Sequence, residues 1–366
     1  MIVNRSMQVA KSWDLFVELL HVYLGVRDSL SLTPSDGDWK YIYTCALKQT
    51  LLGVAFSGVE KLPQSQRPSQ AVLSKWIAQV IQIEKANNRL NIRLRELDEV
   101  CKKHSLKSCL LKGQGVANLY PNPLRRQSGD IDLWIRGKID DTIMVFSTFS
   151  PLTDICHHHA HCNIFQDTDV EIHFLPCWMY SPITNRRLQS FFQSKEDAQF
   201  ANYNESLGVN VTDVSFDLVF SAVHIYRHLF TEGIGLRQLL DYYYILSKST
   251  LNQRVEAFKI LKSLKMTRFA SALMYVLSKM FNMSREWMYV DPDDSVGQFL
   301  LNEIILAGNF GKYDSRITWR QKGLVAVYLN RIGRNFRFLK YFPSETLWAP
   351  FWKIWHYIWR RVNKFK

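Results

Sequence analysis

Long stretches with the apolar period of a helix flank one short region in which apolar and polar residues alternate. Ser12–Val26 is amphipathic, Trp39–Gly58 is largely apolar, and Gln70–His104 predicts a long helix. One face of that helix is charged (Glu84, Lys85, Arg89, Arg93, Arg95, Glu96). Pro34–Gly37 and Leu62–Pro68 carry turn chemistry and break the pattern. From 105 to 175 the period changes. Residues 108–113 read as a strand running into a glycine, Gln114–Tyr120 as a short helix, and 128–135 as a second strand. Residues 155–165 and 170–175 flank the polar stretch Gln166–Asp169 and predict a hairpin. Pro176–Val214 holds a helix around Asn185–Asp197 and an irregular connection. Residues 215–366 return to helix, with breaks near Asp291–Asp294 and Pro343–Ser344. The expected class is α+β, a small mixed sheet flanked by N- and C-terminal helical bundles. The expected regions are 1–104 (helical), 105–200 (α/β core), 201–315 (helical) and 316–366 (a basic, aromatic helical tail).

The strand over 128–135 reads Ser-Gly-Asp-Ile-Asp-Leu-Trp-Ile. Side chains on a strand alternate, so Asp130 and Asp132 project from one face and Ile131, Leu133 and Ile135 from the other. Paired acids near a core are costly unless a proton or cation lies between them. A hard divalent cation is the usual answer, because it takes oxygen ligands and keeps positions open for phosphate. Residues 169–175 place Glu171 and His173 on one face and Val170, Ile172 and Phe174 on the other. A neighbouring strand can thus bring a third acid, and three acids can hold two metals for in-line displacement at phosphorus. Gly113, between a strand and a helix start, lets backbone approach a phosphate. Lys112, Arg125 and Arg126 are the nearby cations for phosphate oxygens; the competing expectation is that they neutralise the acids of an inactive site or are ordinary surface charge.

Two further clusters carry chemistry. Residues 156–162 read Cys-His-His-His-Ala-His-Cys, without a standard zinc spacing. Strand alternation would put His157, His159 and His161 on one face, lining the cleft beside Glu171 or its edge. On the helices expected at 215–231 and 235–247, joined by Gly233 and Gly235, His224 and His228 are four apart, as are Arg237 and Asp241. An Asp–His contact across that bend would pin the two helices or fix a tautomer; contact with substrate is the other expectation.

The composition is globular, 47% hydrophobic and 13% aromatic over 366 residues. Six cysteines without a Cys-x-x-Cys pair fit a reducing compartment, and no secretory signal is expected, so a cytoplasmic location is predicted. The net charge of +13 is uneven: residues 316–366 carry 12 Lys/Arg against Glu345, a net +11. The same segment is aromatic, with Trp352, Trp355 and Trp359 near one helical face after Pro350. Three expectations follow: a helix docked by its tryptophans, an interfacial helix on the inner face of a membrane, or contact with a polyanion such as nucleic acid.

The order Leu-Leu-Lys-Gly (110–113), Tyr-Pro (120–121), Arg, Asp-Ile-Asp-Leu (130–133), Glu-Ile-His-Phe (171–174) resembles a divergent bacterial nucleotidyltransferase family of the DNA polymerase β-like superfamily. The resemblance is densest over 108–175 and extends to about Leu246 through His224, His228, Arg237 and Asp241. It implies a nucleotidyltransferase-type sheet. It also implies Asp130, Asp132 and Glu171 as catalytic and Mg²⁺- or Mn²⁺-binding residues, and Gly113 at the nucleotide-binding turn. His173, His224, His228, Arg237 and Asp241 become candidates for substrate contact or support. The implied reaction moves a nucleotidyl group from an NTP to an acceptor hydroxyl, releasing pyrophosphate; a glycan precursor is one acceptor the resemblance suggests. Two features depart from the superfamily pattern: Gly113 is followed by Gln114 rather than Gly or Ser, and the interval to Asp130 is long. The alternative is an inactive nucleotidyltransferase fold that binds a membrane or polyanion through its tail; phosphoester hydrolysis at the same acids is a further one.

Overall fold

The computed structural model describes residues 2–314, 316, 333 and 335–363. Four helices lead: α1 (Ile2–Tyr23), α2 (Asp36–Lys48), α3 (Leu52–Lys61) and α4 (Gln70–Lys103). The apolar run at Trp39–Gly58 is shared between α2 and α3. The chain turns at Gln49–Leu51, where Thr50 takes φ +57°, and Gln49 caps α2 while its side chain reaches Ile304 and Leu236. Ser35 and Asp38 form a capping box that starts α2.

A five-stranded mixed sheet follows, built from β1 (Ser108–Leu111), β2 (Asp130–Ile135), β3 (Leu152–Thr153), β4 (His159–Cys162) and β5 (Asp169–His173). Its order is β1-β2-β5-β4-β3. The central pair β2 and β5 is parallel and sets Asp132 opposite Glu171; β1 and β4 run antiparallel to them. The short helix α5 (Gly113–Ala117) follows β1, and α6 (Ile139–Ser147) follows β2. One sheet face carries Leu110, Ile131, Leu133, Ile135, Val170 and Ile172 and packs on Leu90, Leu94 and Leu97 of α4 and Phe146 of α6. The charged face of α4 remains outside, as its period requires.

Among the described residues, the remaining α-helices are α7 (Pro182–Gln199), α8 (Val214–Thr231), α9 (Leu236–Lys248), α10 (Leu251–Ser263), α11 (Thr267–Phe281), α12 (Asp294–Ala307) and α13 (Pro343–Val362). The connection before α8 contains a small ribbon, β6 (Tyr203–Asn204) and β7 (Val209–Asn210), where the sequence predicts only irregular chain. A second, larger core joins the N-terminal helices to α8–α12 and reaches Ala349 on α13. On the sheet face toward α8, Trp134 packs on Phe200 and Phe216. Beyond that tryptophan the same face is left open, and the acids occupy it. Of the tail residues, Trp319, Tyr328, Phe365 and the cations Arg320, Lys322, Arg331, Arg334, Lys364 and Lys366 lie outside the described residues.

Candidate active site

Strand alternation and parallel register together gather the charged groups. Asp132 on β2 and Glu171 and His173 on β5 present donor atoms that all lie within 4.8 Å of one another. His173 Nε2 is 3.0 Å from Asp132 Oδ1 and 3.3 Å from Glu171 Oε2. Lys112 Nζ reaches the same Oδ1 at 3.0 Å and lies 3.4 Å from His224 Nε2 on α8. Asp132 is fully buried, and its second oxygen, Oδ2, has no hydrogen-bond partner. Asp130 lines the cleft two residues away but is outside the donor trio.

These groups shift one another. The charge of Asp132, with burial, pushes the Asp130 carboxyl up. Burial alone would raise Glu171, yet its hydrogen bond to His173 holds it well below the usual carboxylate range. Burial disfavours a charge on His173, but the contacts with Asp132 and Glu171 outweigh it and raise the imidazole to about 9. Burial likewise opposes the Lys112 ammonium, and the charges of Asp132, Asp130 and Glu171 more than offset it. His224 goes the other way: buried beside Lys112, it is held neutral.

The cleft between the sheet and α8 has a volume of about 450 Å³ and is lined by Lys112, Asp130, His159, His161, Glu171 and His173, with His224 and His228 opposite. A narrower extension lies between Gly113, Asp130 and Arg237. Lys112 holds φ +45° and Gly113 φ +50°. Lys112 therefore sits in a conformation that glycine prefers, a strain kept where the surroundings fix it. His159 and His161 on β4 share the cleft face of the sheet with Glu171 on β5, and these three form a second trio of possible metal donors.

Other predicted residues divide. Arg126 is buried and donates from Nε and Nη2 to the two oxygens of Asp241, both at 2.7 Å, while the Tyr120 hydroxyl donates to Asp241 at 2.7 Å. Asp241 thus pins the segment before β2 to α9, and the expected Asp–His contact gives way to an Asp–Arg pair. His228 instead faces Glu232 at 3.5 Å. Arg125 points away from the cleft and pairs with Glu60 and Glu84 of the N-terminal helices. Arg237 is nearer to the acids than its place in the sequence suggests: it lines the narrow extension and its Nε is buried without a partner. The alternation expected from His157 begins only at His159, where β4 starts. His158 lines the cleft, whereas His157 packs among Trp178, Trp352 and Trp355.

Sequence reasoning missed the chain Arg126–Ser128–Gln114–Asn91, which joins β2's approach to α4. Gln114, the departure from the usual turn, is a buried member of it. It also missed Arg227, which lies 3.7 Å from the ring centres of both Trp178 and Tyr180. The links from Gln114 to Asn91 and from Arg227 to Trp178 join residues far apart in the chain, so neither has a short-range signal.

A family model described as "Uncharacterised nucleotidyltransferase" matches residues 35–282, more than half of the chain. The chain belongs to this family. No curated protein matches it. The match covers every nucleotidyltransferase residue discussed above and ends before α12. Nucleotidyltransferases use divalent cations, and the donor set fits one. Asp132 Oδ2 is a buried carboxyl oxygen with no hydrogen-bond partner, and Glu171 and His173 stand within reach.

Proposed function

We propose that the cleft transfers a nucleotidyl group from an NTP to an acceptor hydroxyl. The acceptor oxygen attacks the α-phosphorus, the bond to the β-phosphate oxygen breaks, pyrophosphate leaves, and the hydroxyl proton passes to a carboxylate of the cleft. The observation that carries this reading is the register of β2 on β5, which sets buried Asp132 beside Glu171 and leaves Asp132 Oδ2 unpaired. Asp132 and Glu171 are the residues that would hold Mg²⁺ or Mn²⁺, with Asp130 lining the same cleft and His173 able to join them only on losing its proton, and the cation would supply charge neutralisation at the phosphate oxygens. Lys112 and Arg237 face the same space and can take phosphate charge. Arg237 replaces Arg125 in that role, since Arg125 is engaged elsewhere.

The test is incubation of the protein with labelled NTPs, Mg²⁺ or Mn²⁺ and a cell lysate, with pyrophosphate release measured alongside label transfer. Label transfer with pyrophosphate, lost in Asp132→Asn, supports the reading. Release of inorganic phosphate instead would assign hydrolysis, and full transfer by Asp132→Asn would overturn the role of the acids.

One observation favours a second reading. Lys112 and His173 already neutralise Asp132 Oδ1, so the fold can stand as a catalytically silent scaffold. Calorimetric titration separates the two: a silent scaffold gives no metal-dependent heat with any NTP.

A further inference from the structure

The C-terminal helix α13 lies beyond the region that marks the family. Its inner face is fixed to the body. Glu345 accepts hydrogen bonds from the backbone N–H groups of Tyr180 and Ser181 and faces Arg227 at 3.6 Å. Trp352 stacks on Trp178, a residue of the cleft wall, with ring centres 3.7 Å apart and planes 12° from parallel. This docking is the one expected from the tryptophans, but it uses only half the helix.

The outer face is apolar as well. Leu347, Phe351, Ile354, Ile358 and Val362 recur at helical spacing, and each is 53–73% exposed. Trp348, Trp355 and Tyr357 border them, also exposed. A contiguous apolar stripe on a surface marks an interaction site. Lys353, Arg360 and Arg361 belong to the same helix, and residues 346–366 contain no acid. No described helix is long and apolar enough to cross a membrane, so this stripe is not a span.

We propose that the outer face of α13 seats the protein on an anionic lipid surface. Leu347, Phe351, Ile354, Ile358 and Val362 enter the boundary between headgroups and acyl chains; the aromatic border and Arg361, which lies over the Tyr357 ring, meet the headgroups, while Arg360 is turned toward Asp154 of the body. Three occupants compete for such a stripe. A nucleic acid would use the cations but has no use for a row of leucine, isoleucine and valine. A second copy would bring one +11 segment against another across a two-fold axis. An anionic lipid surface satisfies both the apolar row and the charge. The proposal is independent of the transfer reaction.

Flotation of the full-length protein with phosphatidylcholine vesicles, with and without phosphatidylglycerol, tests it. The protein floats with the anionic vesicles and less so as salt rises. An Ile354→Glu/Ile358→Glu variant loses vesicle binding by roughly tenfold or more, with its melting temperature kept because both side chains are already outside the core. Wild-type protein that stays with neither vesicle, or a variant that floats as well as wild type, overturns the proposal. So does a concentration-dependent dimer, or RNA binding, without vesicle binding.

Discussion

Two buried aspartates, one on a strand and one on a helix, are treated differently. Asp241, on α9, has both oxygens engaged by Arg126 and one also by Tyr120. Asp132, on β2, has both of its cations on Oδ1 and none on Oδ2. A buried carboxylate whose acceptor capacity is used up locks geometry. One with capacity left over is held ready for something that arrives. Asp241 accordingly ties the sheet to the helices, and the proposed function assigns Asp132 to a cation.

That contrast can be broken by mutation. The largest effect is expected for Asp132→Asn: transfer falls roughly 10³-fold, about 4 kcal/mol of barrier, while the fold is kept because Glu171 and Asp130 still offset the charges of Lys112 and His173. Steady-state rates and a thermal melt check both halves. Asp241→Ala should do the reverse in kind. It strands the buried Arg126 charge and costs about 3–5 kcal/mol of stability, read by denaturant unfolding, and an Arg126→Met/Asp241→Leu double variant recovers most of that loss. Next comes a pH effect at the seat of α13. Burial holds His157 down to about 3 and His356 to about 4, against an ordinary 6.5. Above pH 6.5 neither state is protonated; below it the unfolded chain takes up protons that the folded one refuses, so stability falls from pH 6.5 toward 4. Tryptophan fluorescence during unfolding at stepped pH follows it, and His157→Phe should flatten the slope. The smallest effect is Arg125→Ala. Its glutamate partners are partly solvated, so stability changes by about 1 kcal/mol or less and transfer stays at the wild-type rate.

Much of this was legible because it is local. Strand alternation over 130–135 and 169–173 assigned the faces correctly, and the structure puts the apolar sides of both strands in one core. The breaks at Pro34–Gly37, Gly233–Gly235 and Asp291–Asp294 were legible, and helices start there on the caps Ser35, Gly235 and Asp293. What was not legible depends on distance. Arg125 and Arg126 are adjacent and look equivalent, yet a turn sends one to Glu60 and Glu84 and the other to Asp241. His173 joins the acids, while Asp130 stands aside, because register across a parallel pair cannot be read from either strand alone. Residues 157–161 alternate in sequence but not in space, since pairing to β5 starts at His159.

The most direct test of the account is Mn²⁺ titration followed by the electron paramagnetic resonance of the free ion. Wild-type protein and Arg125→Ala should deplete free Mn²⁺, and Asp132→Asn should not. Depletion by Asp132→Asn equal to wild type, or none by wild type, would contradict the claim that the unpaired oxygen of Asp132 awaits a cation.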